Sequence, residues 1–161
     1  MARRKSSIPF SAMMFPAGLA LNAKKIAPLP ALGDIVYCRF PELAGIPAGK
    51  PRPALVVGMV AFQDGNDGVA VAYGTSKRVT SLRSGEFAIT PEDGSAYRHS
   101  GLSYPTKFYL GKPANLPYTD EWFRVPPGQP FGQSPKLGTL HPSLMRRAQA
   151  AFNAIVVRDQ T

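Results

Sequence analysis

The sequence predicts a mainly β fold: a small, strongly bent antiparallel barrel with one C-terminal helix. Three observations carry this expectation. Seventeen prolines and fifteen glycines in 161 residues interrupt helices and favour short strands joined by turns. Five to seven short segments rich in β-branched and aromatic residues are spaced by turn chemistry. Only one stretch, near the C-terminus, repeats its apolar residues at three- and four-residue spacing.

The first boundary is "APLPALGD", Ala27 to Asp34, where two prolines precede Gly33 and Asp34. Residues 1–32 are expected to form a flexible basic arm and residues 33–161 the barrel domain. "DIVYCRF", Asp34 to Phe40, reads as a strand, with Ile35, Tyr37 and Arg39 on one face and Val36, Cys38 and Phe40 on the other. Pro41 to Pro51 reads as a turn-rich loop. "RPALVVGMVAF", Arg52 to Phe62, is the strongest strand, and its near-continuous apolarity predicts burial on both faces. Pro53 must sit at its start or on an edge, because it donates no ladder hydrogen bond.

Gln63 to Gly68, "QDGNDG", supplies hairpin turn chemistry, and Val69 to Gly74 returns as the partner strand. A polar loop, "TSKRVTSLRS", leads to a short strand at Glu86 to Thr90. Pro91 to Gly101 reads as a loop, a strand is expected within Leu102 to Leu110, and a last one around Trp122 to Val125. In "HPSLMRRAQAAFNAIV", Pro142 suits the first helical turn, and Leu144, Ala148, Ala151, Phe152 and Ile155 share a face.

Nineteen Lys and Arg against ten Asp and Glu give a net charge of +9, which points to a polyanionic partner, nucleic acid before anionic membrane. Arg3, Arg4, Lys5, Lys24 and Lys25 place five of those charges in the first thirty residues, which hold no acid. "IPFSAMMFPAGLAL", Ile8 to Leu21, follows the basic "ARRK" in the outline of an export signal, but Pro9 and Pro16 interrupt it and Leu21 spoils the cleavage site. The single cysteine, Cys38, excludes an intrachain disulfide framework. A cytoplasmic protein with no membrane span and no cofactor is the expectation.

The ordered segments "GDIVYCRFPE" (Gly33 to Glu42), "GKPRPALVVG" (Gly49 to Gly58) and "VAYGTSK" (Val71 to Lys77), followed by "GEFAIT", "SGLSYPTKF" and "GTLHPSLMRRAQAAF", resemble the PemK/MazF family of toxins from type II toxin-antitoxin systems. The likeness covers roughly Gly33 to Phe152. It implies an SH3-like barrel of the PemK/MazF/CcdB kind and a homodimer. It also implies metal-independent cleavage of single-stranded RNA and neutralisation by a cognate antitoxin.

Such cleavage is attack of a 2′-hydroxyl on its own phosphate, so a site must take one proton, deliver another to the leaving 5′-oxygen and hold the developing charge. Arg52 suits the last role, because a planar guanidinium can engage two phosphate oxygens. The resemblance makes it catalytic; residue type alone points rather to a solvated arginine at a strand edge. Thr75 aligns with the family's phosphate-contacting threonine, with Ser76 beside it, against the blander reading of an exposed turn. Lys50, Lys77 and Arg78 would draw phosphate, although each by itself is an ordinary surface charge.

Where many family members carry an Asp-Gln pair, this chain has Thr106 and Lys107, so a carboxylate base is missing and these two can only bind substrate. His99, in the loop "YRHSG", is a further substrate-binding candidate, and His141 reads as a helix-start residue. Tyr73, Tyr97, Tyr104, Phe108 and Trp122 can stack on unpaired bases or fill the core. Cys38, mid-strand, reads as core. No glycine-rich phosphate loop, metal-ligand cluster or nucleophile elbow is present in the sequence. The functional expectation is an endoribonuclease, with a non-catalytic binder of the same fold, gyrase-poison-like or DNA-binding, as the alternative.

Overall fold

The computed structural model describes residues 23–43 and 46–160. The basic cluster Arg3, Arg4 and Lys5 and the stretch Ile8 to Leu21 lie outside the described residues. Seven strands follow in order: β1 (Asp34–Leu43), β2 (Ile46–Ala61), β3 (Asp67–Thr75), β4 (Glu86–Ile89), β5 (Thr106–Tyr109), β6 (Ala114–Pro117) and β7 (Lys136–Thr139). The short helix α1 (Ser95–Ser100) lies between β4 and β5, and α2 (Met145–Gln160) ends the chain.

The hairpin of β2 and β3 forms where its turn chemistry places it. Gly65 takes φ +88° in the turn, the Asp64 carboxylate accepts from Asn66 N at 2.9 Å, and Ala61 pairs with Asp67. β3 then divides its outer edge: Gly68 to Val71 pair with β6, and Gly74 and Thr75 pair with β5. Gly74 permits the change, since a Cβ there would lie 2.5 Å from Pro53 O and 2.8 Å from the Phe108 ring.

The strands run β4-β5-β3-β2-β1-β7, all neighbours antiparallel, with β6 joined to β3 off this path. The sheet is therefore not closed into the expected barrel, because β4 and β7 do not meet. Their flanks are packed by helices instead. Arg147 on α2 donates to Ala88 O of β4 at 2.8 Å and to the Asp93 carboxylate at 2.9 Å. The end of α1 presses on β7 so closely that a Cβ on Gly138 would lie 2.3 Å from Ser100 C and O.

Burial on both faces makes two cores. Val36, Cys38, Ala54, Val56, Val69 and Val71 pack with Leu116, Tyr118, Trp122 and Phe123. Ile35, Leu55 and Ala72 pack on the other side with Phe87, Ile89, Phe108, Leu140 and Leu144. The expected two-sided burial of β2 holds only through Val56. Beyond the bulge between Val56 and Gly58, β2 has left β1 behind and pairs with β3 alone, and Val57 and Met59 are exposed.

Other expectations are corrected. The presumed loop Pro41 to Pro51 is mostly an extension of the β1–β2 ladder: Phe40 pairs with Ala48 and Pro41 with Pro47, with bulges that accommodate the prolines. Pro91 to Gly101 is helical, a turn at Pro91–Asp93 leading into α1. Pro91 at the first position and the acids Glu92 and Asp93 behind it are helix-start signals. Trp122 to Val125 forms no strand. Trp122 and Phe123 both donate backbone bonds to Thr119 O in a tight turn, and only a single bridge joins Cys38 to Phe123. On α2, Leu144 at the entry and Ala151 are buried as expected, while Phe152 is exposed.

Residues 23–32, assigned to the arm, are stitched to the body. Ile26 N donates to Tyr118 O at 3.0 Å, and Lys25 bridges to Thr119. At Gly33, with φ +88°, the chain turns into β1. The buried Asp34 carboxylate accepts from Ala31 N at 3.0 Å and pairs with Lys136 of β7 at 3.6 Å.

Candidate nucleic-acid interface

Arg52 lies in β2 between Pro51 and Pro53, opposite Cys38 of β1. The β2–β3 register pairs Ala54 with Tyr73, and carrying it two residues further sets Arg52 across from Thr75. Both line a partly enclosed cavity of about 360 Å³ together with Ser76, Thr106, Tyr37 and Tyr104. Pro51, Pro53, Pro126 and Pro127 form much of the remaining wall, so rigid rings hold the space open. The volume falls in the range of about 300–1,000 Å³ common for small-ligand pockets.

Arg52 is exposed and takes part in no ion pair among the described residues. The Thr75 hydroxyl accepts from Lys77 N at 3.2 Å, turning the chain out of β3 and into the loop of residues 76–85. Thr106 is buried, and its hydroxyl donates to Tyr104 O at 2.8 Å.

The other sequence candidates lie outside this cavity. Lys107, expected to bind substrate, is buried and engaged elsewhere. Its Nζ donates to Glu86 Oε1 at 3.0 Å and to Ser81 O at 3.1 Å. Glu86 Oε1 also accepts from Arg83 N at 2.7 Å, so one buried pair ties down the far end of the 76–85 loop. Burial by itself would raise the Glu86 pKa, but the bonds from Arg83 N and Lys107 outweigh it and hold the carboxyl below its ordinary value.

Lys50, Lys77 and Arg78 are exposed on the surrounding surface and do not line the cavity. His99, on α1, meets His141 edge to face at 5.3 Å, and neither imidazole lines the cavity. His141 instead starts the last helix, its Nδ1 accepting from Ser143 N at 3.1 Å. Burial raises the Cys38 thiol well above its ordinary pKa, and its Sγ donates to Arg39 O, the chemistry of an inert core cysteine.

Sequence reasoning missed Tyr37 and Ser103 as lining residues. Tyr37 was readable as a face residue of β1, and its register opposite Pro53 brings it to the cavity wall. Ser103 carried no signal. No carboxylate lines the cavity, and among the described residues no three His, Cys, Asp or Glu side chains gather as a metal site would require. No helix among the described residues is long and apolar enough to cross a membrane. The chain matches no protein-family model and no curated protein.

Proposed function

We propose that this chain is a toxin-type endoribonuclease of the PemK/MazF kind, cleaving single-stranded RNA without metal at the Arg52 cavity. On this reading the bent open sheet is an SH3-like variant, the active form is a homodimer in the cytoplasm, and an antitoxin blocks it. The convergence of Arg52, Thr75 and Ser76 on one nucleotide-sized cavity supports the proposal.

The substrate's 2′-oxygen attacks its own phosphorus, the bond to the 5′-oxygen breaks, and a 2′,3′-cyclic phosphate and a 5′-hydroxyl result. Arg52 balances the charge gathering on the non-bridging oxygens, the Thr75 and Ser76 hydroxyls hold the phosphate in line, and the leaving 5′-oxygen takes its proton from solvent. Neither carboxylate nor imidazole lines the cavity, so the 2′-hydroxyl proton passes to solvent and the rate rises with pH.

Incubating the protein with a long unstructured RNA in EDTA tests this. Arg52→Ala is expected to slow cleavage by about 10²–10³-fold. No metal-independent cleavage, or equal cleavage by the variant, refutes the proposal. The missing carboxylate also favours a second reading, a non-catalytic binder on the same scaffold, which predicts growth arrest with DNA breaks and intact RNA.

A further inference from the structure

Beside the Arg52 cavity lies a larger open one of about 800 Å³, and the two share Tyr37, Pro51 and Pro127 as walls. A strand of RNA crossing the first therefore has a neighbouring space for an adjacent nucleotide. One side of that space is the segment Asp120 to Val125, which the backbone fixes at several points. Asp120 N donates to Lys24 O at 2.9 Å, Arg39 N to Trp122 O at 2.7 Å, and Arg124 N to Tyr37 O at 3.1 Å. Lys24 N returns a bond to the Asp120 carboxylate at 2.9 Å.

This frame sets three charged residues along the cavity: Asp120, whose carboxylate already accepts from Lys24 N, and the pair Glu121 and Arg124. Neither of the pair forms a hydrogen bond or an ion pair through its side chain among the described residues, although only three positions separate them. Burial, and then the neighbouring Asp120 charge, raise the pKa of Glu121. A half-buried carboxylate without a partner is costly unless something else supplies donors.

The chemistry of the pair selects the ligand. A carboxylate is satisfied by two adjacent N–H donors, and a guanidinium fork by two adjacent acceptors. Among the four RNA bases, guanine alone offers both: N1–H and N2–H on one edge, O6 and N7 on another. Half-buried Tyr37 adds an aromatic surface, which stacks on any base and leaves the selection to the charged groups.

We infer that this second cavity is a guanine-binding subsite, in which Glu121 and Arg124 read the base next to the phosphate held at Arg52. The inference rests on the RNA-cleaving reading for its substrate class, and the experiment separates the two. The wild-type protein is titrated with 2′-O-methyl hexanucleotides, which cannot be cleaved because the attacking hydroxyl is blocked. Each carries a single guanine, inosine, 7-deazaguanine or adenine in a background of uracil.

Guanine is expected to bind about tenfold more tightly than adenine, with inosine and 7-deazaguanine in between. Glu121→Gln is expected to bind guanine and inosine alike. Equal wild-type affinity for guanine and adenine overturns the subsite, as does a guanine-over-inosine preference that survives in Glu121→Gln. The base analogues test the wild-type chain directly, so a poorly folding variant does not rescue the idea. Guanine preference without cleavage of ordinary RNA in EDTA leaves the subsite standing and removes the nuclease; cleavage without guanine preference does the reverse.

Discussion

Lys107 shows how one residue's meaning depends on its register. In sequence it is a cation in a strand, beside the place where a base was sought. In the fold it pairs with Ala88 across β5 and β4, and its ammonium reaches Glu86 and Ser81 beneath the 76–85 loop. Lys107→Met removes one of the two donors to Glu86 Oε1 and the side-chain donor to Ser81 O, and is expected to destabilise by about 1–2 kcal/mol in urea unfolding. A loss below about 0.5 kcal/mol contradicts this role. The pair also fixes a pH dependence. The Glu86 pKa is depressed in the fold, so its contribution is fully present above the ordinary carboxylate value of about 4.3 and is lost as pH falls through the folded value. Acid unfolding of the wild type should therefore be steeper than that of Lys107→Met/Glu86→Gln, measured by the urea midpoint from pH 6 to pH 3. Thr75 was legible as the end of β3, whereas Arg52, expected at a strand's start, lies inside β2 because the ladder with β1 continues before it. Lys107 was not legible, because nothing local marks a charge as buried.

Among the elements, the β2–β3 hairpin and α2 were legible from turn chemistry and periodicity that need no distant partner. The helix α1 and strand β7 were not. α1 has six residues, too few to display a period, and β7, "KLGT", has four, too few to alternate convincingly. Each is stabilised by the other. Gly101 ends α1 at φ +73°, and a Cβ there would lie 1.9 Å from Leu137 O of β7. Gly101→Ala meets both a left-handed backbone and a backbone oxygen that cannot move aside, and is expected to cost about 3 kcal/mol or more. Gly65→Ala serves as the control: it too has positive φ, +88°, but nothing within 4 Å, so only a conformational cost of about 1–2 kcal/mol applies. Equal melting temperatures for the two variants would show that the α1–β7 contact contributes nothing. Since Gly101 and Leu137 also line the Arg52 cavity, the same contact shapes the site.

At the scale of the molecule, the net charge of +9 predicts that the RNA binding proposed above depends on salt. With about three phosphates engaged, affinity for a single strand should fall about tenfold or more between 50 and 200 mM salt. A flat response in a filter-binding or anisotropy titration would exclude phosphate-driven binding. The two cores also explain why the open sheet needs no closure. The central strands are covered on both faces, one by the Trp122 and Phe123 segment and the other by α1, α2 and β4, so the apolar surface is already buried.

What the sequence by itself determined is what local chemistry can carry: a β-rich chain, the Gly65 hairpin, the Pro142-led helix, and Thr75 at the end of a strand. Only the tertiary structure decided that β4 and β7 stay apart, that Lys107 is a strut and that Glu121 faces a cavity beside Arg52. These depend on which distant segments meet. Hydrophobic period and turn chemistry act over a few residues, whereas burial and charge pairing act through space between positions far apart in the chain.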